Sequence, residues 1–152
     1  MKYLFVLFSL TLFTNGCNDE ETKKKAIKTA EDDIIVTYEA MSRGFYEEVQ
    51  VSKIALKTTK DVNKKQYNTY DCSEEDWNEI VALLKKVDAE KLKTLKAPSS
   101  KRLHDGAPHA VLTIKYKDTE VSLNSFDHGN PPKELMAIVS KILAMAKAVD
   151  KP

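Results

Sequence analysis

Residues 110–123, AVLTIKYKDTEVSL, alternate apolar and polar side chains on either side of Lys117-Asp118. Ala110, Leu112, Ile114 and Tyr116 fall on one face, and Val121 and Leu123 answer them after the turn. A period of two is the pattern of a half-buried strand. Pairing positions that sum to 235 sets Ile114 against Val121 and Leu112 against Leu123. A slip of one residue would bring Glu120 opposite Ile114 and spoil the buried face, so burial fixes the register. The segment is a hairpin with one covered side.

A second hairpin is expected upstream. Ile34, Val36, Tyr38 and Ala40 alternate with more polar neighbours, Ser42-Arg43-Gly44 interrupts, and Val49 and Val51 resume. With Arg43-Gly44 as the turn, positions summing to 87 pair Tyr38 with Val49 and Val36 with Val51. Arg43 suits the favoured primed turns poorly, which leaves room for a bulge or a longer loop. Residues 54–59 and 65–70 are candidates for one or two further strands.

Between the hairpins Ser73 is a good helix N-cap, and Glu74, Glu75 and Asp76 complement the positive helix end. Trp77, Ile80, Val81, Leu84 and Val87 then form one apolar stripe. Residues 88–95 suggest a second short helical piece, closed by Ala97-Pro98-Ser99-Ser100. Asn130 is expected to cap a last helix with Pro131 and Pro132 in its first turn. Its apolar face is Leu135, Ile138, Val139, Ile142, Leu143, Ala146 and Val149. This order predicts an α+β fold: a two-layer sandwich, a mainly antiparallel sheet of two hairpins with two principal helices on one face.

The N-terminus reads differently. Lys2 precedes an apolar or hydroxyl-bearing run from Tyr3 to Phe13, too short to span a bilayer but suited to the hydrophobic region of an export signal. Thr14-Asn15-Gly16-Cys17 resembles a bacterial lipobox, with Thr14 where the usual pattern has Leu. The resemblance implies cleavage after residue 16 and lipidation of Cys17, with ordinary secretory cleavage as the rival. Asn18-Asp19-Glu20-Glu21 looks like the acidic stretch after the lipidated cysteine of Bacteroidota surface lipoproteins, which implies outer-membrane placement in the cell envelope. The expected organisation is a signal peptide over 1–16, a lipidated cysteine and charged tether over 17–32, and a single domain over 33–150.

Cleavage would leave 136 of the 152 residues and remove one charge, Lys2, so that 23 basic and 23 acidic side chains remain. That balance offers no electrostatic footprint for nucleic acid. Cys72 is the only thiol besides Cys17, so an intramolecular disulfide is not expected.

Two groups of residues carry the functional expectations. Setting His109 opposite Phe126 brings the loops flanking the second hairpin to one end, and those loops hold His104, Asp105, His109, Asp127 and His128. Imidazole and carboxylate together are reasonable ligands for zinc or another divalent metal, or for a polar ligand. The same residues read more readily as turn and loop-forming side chains, Asp105-Gly106 as a turn pair and Asp127 onward as a loop and helix start. The other group is Arg43-Gly44-Phe45-Tyr46, a hairpin tip with the residue types favoured at protein interfaces. No metalloprotease-type histidine spacing, glycine-rich phosphate loop or nucleophile elbow occurs, and no other cofactor is implied.

In the order of its elements, from residue 34 to 148 and including the Asp105-Gly106 loop, the chain resembles emfourin-type inhibitors of thermolysin-like metallopeptidases. It is also similar to small Bacteroidota lipoproteins with Ser-Arg-Gly and Phe-Asp-His-Gly segments, here residues 42–44 and 126–129. The leading expectation is a membrane-anchored envelope lipoprotein with a non-enzymatic protein-binding domain, the partner conceivably a peptidase. A metal or small-ligand protein using His104, His109 and His128, and a structural lipoprotein without a discrete ligand, are the alternatives.

Overall fold

The computed structural model describes residues 31–150 apart from 88 and 93. Cys17, the expected signal peptide and all of the expected tether before residue 31 lie outside the described residues. The fold is α+β, as the order of elements predicts.

Seven strands form one antiparallel sheet: β1 (Ile34–Ser42), β2 (Phe45–Ser52), β3 (Ala55–Thr59), β4 (Asn68–Asp71), β5 (His109–Tyr116), β6 (Thr119–Ser122) and β7 (Phe126–Asp127). The order across it is β4-β3-β2-β1-β5-β6, with β7 also paired to β5. The first hairpin has the expected register, Val36 against Val51 and Tyr38 against Val49. Its turn is the plain two-residue connection with no bulge, since Ser42 pairs with Phe45. Gly44 takes the left-handed conformation (φ 78°), which spares Arg43 from doing so. The two hairpins are joined edge to edge through β1 and β5, placing Val36 against Ile114 and Tyr38 against Leu112.

The second hairpin departs from expectation beyond its turn. Ile114 pairs with Val121 as predicted, but Ala110 pairs with Phe126 and His109 with Asp127, one residue later than a constant register would give. The extra residue lies in the unpaired 123–125 stretch, a bulge. It keeps Leu123 and Phe126 both buried although they are an odd number of positions apart.

Helix α1 (Glu74–Leu84) is capped by the Ser73 hydroxyl, which accepts from the Asp76 N–H at 3.1 Å. The short α2 (Ala89–Leu92) follows, and α3 (Met136–Val149) ends the domain. Asn130 does not cap α3: its N–H donates to the Asp127 carbonyl, and a 3-10 turn, Lys133–Leu135, leads into the helix after Pro132. Trp77, Ile80 and Val81 of α1 and Ile138, Val139 and Ile142 of α3 pack with Val36, Tyr38, Val49, Val51, Leu112 and Phe126 of the sheet in one core. The other sheet face is polar, carrying Thr37, Glu39, Glu48, Gln50 and Thr113.

The sheet has two distinct ends. The chain joins it at Ile34, beside the β2–β3 turn and the β5–β6 turn, where Glu31 and Asp32 are fastened by Lys85 and Lys53 (both 2.6 Å). The β1–β2 tip, His109 and β7 lie at the far end, about 26 Å away along β1 at ~3.3 Å per residue.

Candidate functional site

At the far end two segments expected to act separately meet. The Phe45 ring lies against the His128 ring, with centroids 5.4 Å apart. The His128 Nδ1 is 2.8 Å from the Tyr38 hydroxyl, which accepts the Gly129 N–H at 3.3 Å. In the neutral tautomer with its hydrogen on Nε2, Nδ1 accepts the Tyr38 hydroxyl proton. Nε2 faces the Glu47 carboxylate at 3.9 Å. Burial, opposed by the Gly129 N–H and reinforced by Glu47, pushes the Tyr38 hydroxyl up to about 12, so it stays a neutral donor. Tyr38 itself is fully buried, beside Phe126. The imidazole is thus held from beneath by the core and presented at the surface.

Phe45, 39% exposed, is its ring neighbour; Arg43 in the turn and Met41, 47% exposed, are the other exposed side chains of the tip. Register partners share a face of a sheet. Met41 and His109 pair, and both are exposed on the polar face. Phe45 and Glu47 lie on the helix side with His128. Tyr46 is a correction to the expected tip: it is buried, and its hydroxyl donates to Glu48 at 2.8 Å. Of the 43–46 run Arg43, Gly44 and Phe45 are exposed; half-buried His128 joins Phe45 on the helix side, and Met41 is exposed on the polar face.

The five residues expected to gather a metal do not form one group. Strand alternation separates the rings, with His109 on the polar face and His128 on the other. His104 and Asp105 are exposed in a 3-10 turn and its left-handed close (Asp105 φ 56°). The Asp127 oxygens are already occupied. They accept from the Ser99 hydroxyl (2.5 Å), the Lys101 and Arg102 N–H groups (2.9 and 3.1 Å) and the Arg102 guanidinium (3.0 Å). Burial alone would raise this carboxyl, but these donors together hold it far below the usual carboxylate range. Asp127 is a clamp that ties the 99–102 loop to β7. Among the described residues no three His, Cys, Asp or Glu side chains are placed to hold a metal ion.

A second polar centre lies on the open sheet face. Glu48, 1% exposed, is the direct register partner of Glu39. Like charges directly opposite on a sheet repel. Lys64 reaches down from the 60–67 loop and bridges both, at 2.8 Å to Glu48 and 2.9 Å to Glu39. Tyr67 and Gln50 donate to the other Glu48 oxygen (2.8 and 2.7 Å). Burial pushes the Glu48 carboxyl up, and Lys64, Tyr46, Tyr67 and Gln50 outweigh it, leaving it below its ordinary value. The ion pair with Glu48 raises the Lys64 ammonium, while burial and the same carboxylate push the Tyr67 hydroxyl to about 12. Every shift locks in the charge state present at neutral pH. That is the chemistry of a fastener, with no group poised to exchange protons. A depression of about 400 Å³ lies beside it.

Removing the hydroxyl in Tyr38→Phe is expected to cost about 1 kcal/mol, because Gly129 N–H and Nδ1 lose a shared partner near the surface where water can replace it. The informative readout is NMR of the His128 ring: its signals should sharpen or average as the ring begins to reorient, and an unchanged ring environment would contradict the assigned support. Neither a protein-family model nor a curated protein matches the sequence.

Proposed function

We propose that this is a lipid-anchored, non-enzymatic protein of the bacterial envelope whose β1–β2 tip binds another protein. The observation that carries the reading is the exposed Phe45 ring set at a tilt against an imidazole that Tyr38 pins from the core. Arginine and aromatic side chains on a rigid base are the chemistry of interface hot spots, since little conformational entropy is lost on binding. The expected lipobox at Cys17 supports the anchor, and the tip lies at the end of β1 opposite Ile34, where the chain joins the sheet. The layout shared with emfourin-type inhibitors makes a peptidase the first partner to try.

The test is recovery of a stoichiometric partner with the anchored protein in mild detergent. Phe45→Ala and Arg43→Ala should each weaken that complex about tenfold or more, the scale of a hot-spot truncation. Recovery of no partner, or full binding by both variants, would overturn the reading.

A further inference from the structure

The end at which the chain joins the sheet carries its own apolar surface. Ile54 in the β2–β3 turn is 79% exposed, and Ile35 and Tyr116 are each 37% exposed. Ile35 pairs with both Ser52 and Lys115 on the polar face, and Tyr116 pairs with Ile34 on the helix side, so the two flank the same end of the sheet from opposite faces. A depression of about 580 Å³ opens there among Asp33, Ile35, Lys53, Ile54, Lys115 and Lys117. The Lys117 ammonium lies 5.4 Å from the centroid of the Tyr116 ring.

We propose that this end rests on the bilayer that holds the lipidated Cys17, with Ile54 and Tyr116 dipping into the headgroup region. The inference rests on the anchor reading. Fourteen residue steps separate Cys17 from Glu31, at most about 50 Å of chain. Glu31 and Asp32, where that chain reaches the domain, are ion-paired to Lys85 and Lys53 of this same end. The chain from Cys17 thus enters the domain at this end; its reach would allow either end to approach the membrane, and the apolar side chains here are what select this one. Isoleucine, tyrosine and lysine are the side chains that suit a bilayer interface: an apolar body below, a hydroxyl or ammonium reaching to the headgroups. Lys53 is ion-paired to Asp32 and Lys115 is the register partner of Glu120, and Asp33 and Asp118 lie at the same end, so charge alone does not drive the contact and apolar burial is expected to dominate it.

The test uses the full acylated chain in vesicles of phosphatidylethanolamine and phosphatidylglycerol with brominated acyl chains. Wild type, Ile54→Trp and Phe45→Trp are compared, with the buried Trp77 as the shared background. Position 54 should show a blue-shifted emission and strong quenching, and position 45 should show neither. With the acyl chains confirmed by mass, quenching at neither position or at both overturns the membrane contact alone. An unmodified Cys17 in the mature protein overturns the anchor reading, and this inference falls with it.

Discussion

Glu48→Ala is expected to destabilise the domain by about 2–4 kcal/mol, because it strands the donors that converge on one buried carboxylate. Tyr46, Tyr67 and Gln50 each lose an acceptor, at roughly 1 kcal/mol apiece. Lys64 is 45% exposed and keeps Glu39, so water screens its loss and its share is small. Denaturant unfolding of the variant would measure the sum, and a cost below about 1 kcal/mol would show that the network contributes little. The pH dependence has a definite sign. The folded carboxyl lies below its ordinary 4.5, so its contribution is present above that value and is lost as pH falls through the folded pKa. Glu48→Gln should flatten that acid limb while retaining part of the hydrogen bonding at neutral pH.

The second large effect is expected at Phe126. Its ring is fully buried, 6.2 Å between centroids from Tyr38, and it sits where the bulge returns the chain to β5. Phe126→Ala should cost about 3–5 kcal/mol, since rigid strands around the site limit collapse into the cavity. Phe126→Leu keeps most of the volume and should cost less than about 1.5 kcal/mol. Thermal and denaturant unfolding of the pair would check this. Equal losses would mean that the aromatic stack on Tyr38, rather than filled volume, is what the site requires. Because Tyr38 supports His128, the alanine variant should also loosen the tip and weaken partner binding.

Much of this architecture was legible in the chain because hydrophobic alternation fixes register wherever one face is buried. The pairings of Val36, Tyr38 and Ile114 follow from that alone. The alternation says nothing about an extra residue in an unpaired stretch, so a constant register misplaced His109 against Phe126. That one step also decides which face each loop side chain occupies, so a register that brings the two histidine-bearing loops to one end does not by itself bring their rings together. The Glu48 centre was within reach. The predicted register already sets Glu39 against Glu48, and two opposed carboxylates require a cation. What could not be read is that a loop carrying Lys64 in a left-handed conformation (φ 55°) would supply it. The meeting of Phe45 with His128 was hidden because it depends on the Tyr38 side chain, whose hydroxyl reaches across the core side of the sheet to residues 128 and 129.

The position of β1 has a mechanical meaning. It is central in the sheet, paired over eight residues with β2 on one side and eight with β5 on the other. Its first residue receives the tether and its last opens into the tip. Force applied between a membrane and a partner held at the tip would run along this strand, loading both flanking ladders in shear. Their hydrogen bonds would then resist together, whereas a pull at a sheet edge would unzip them one at a time.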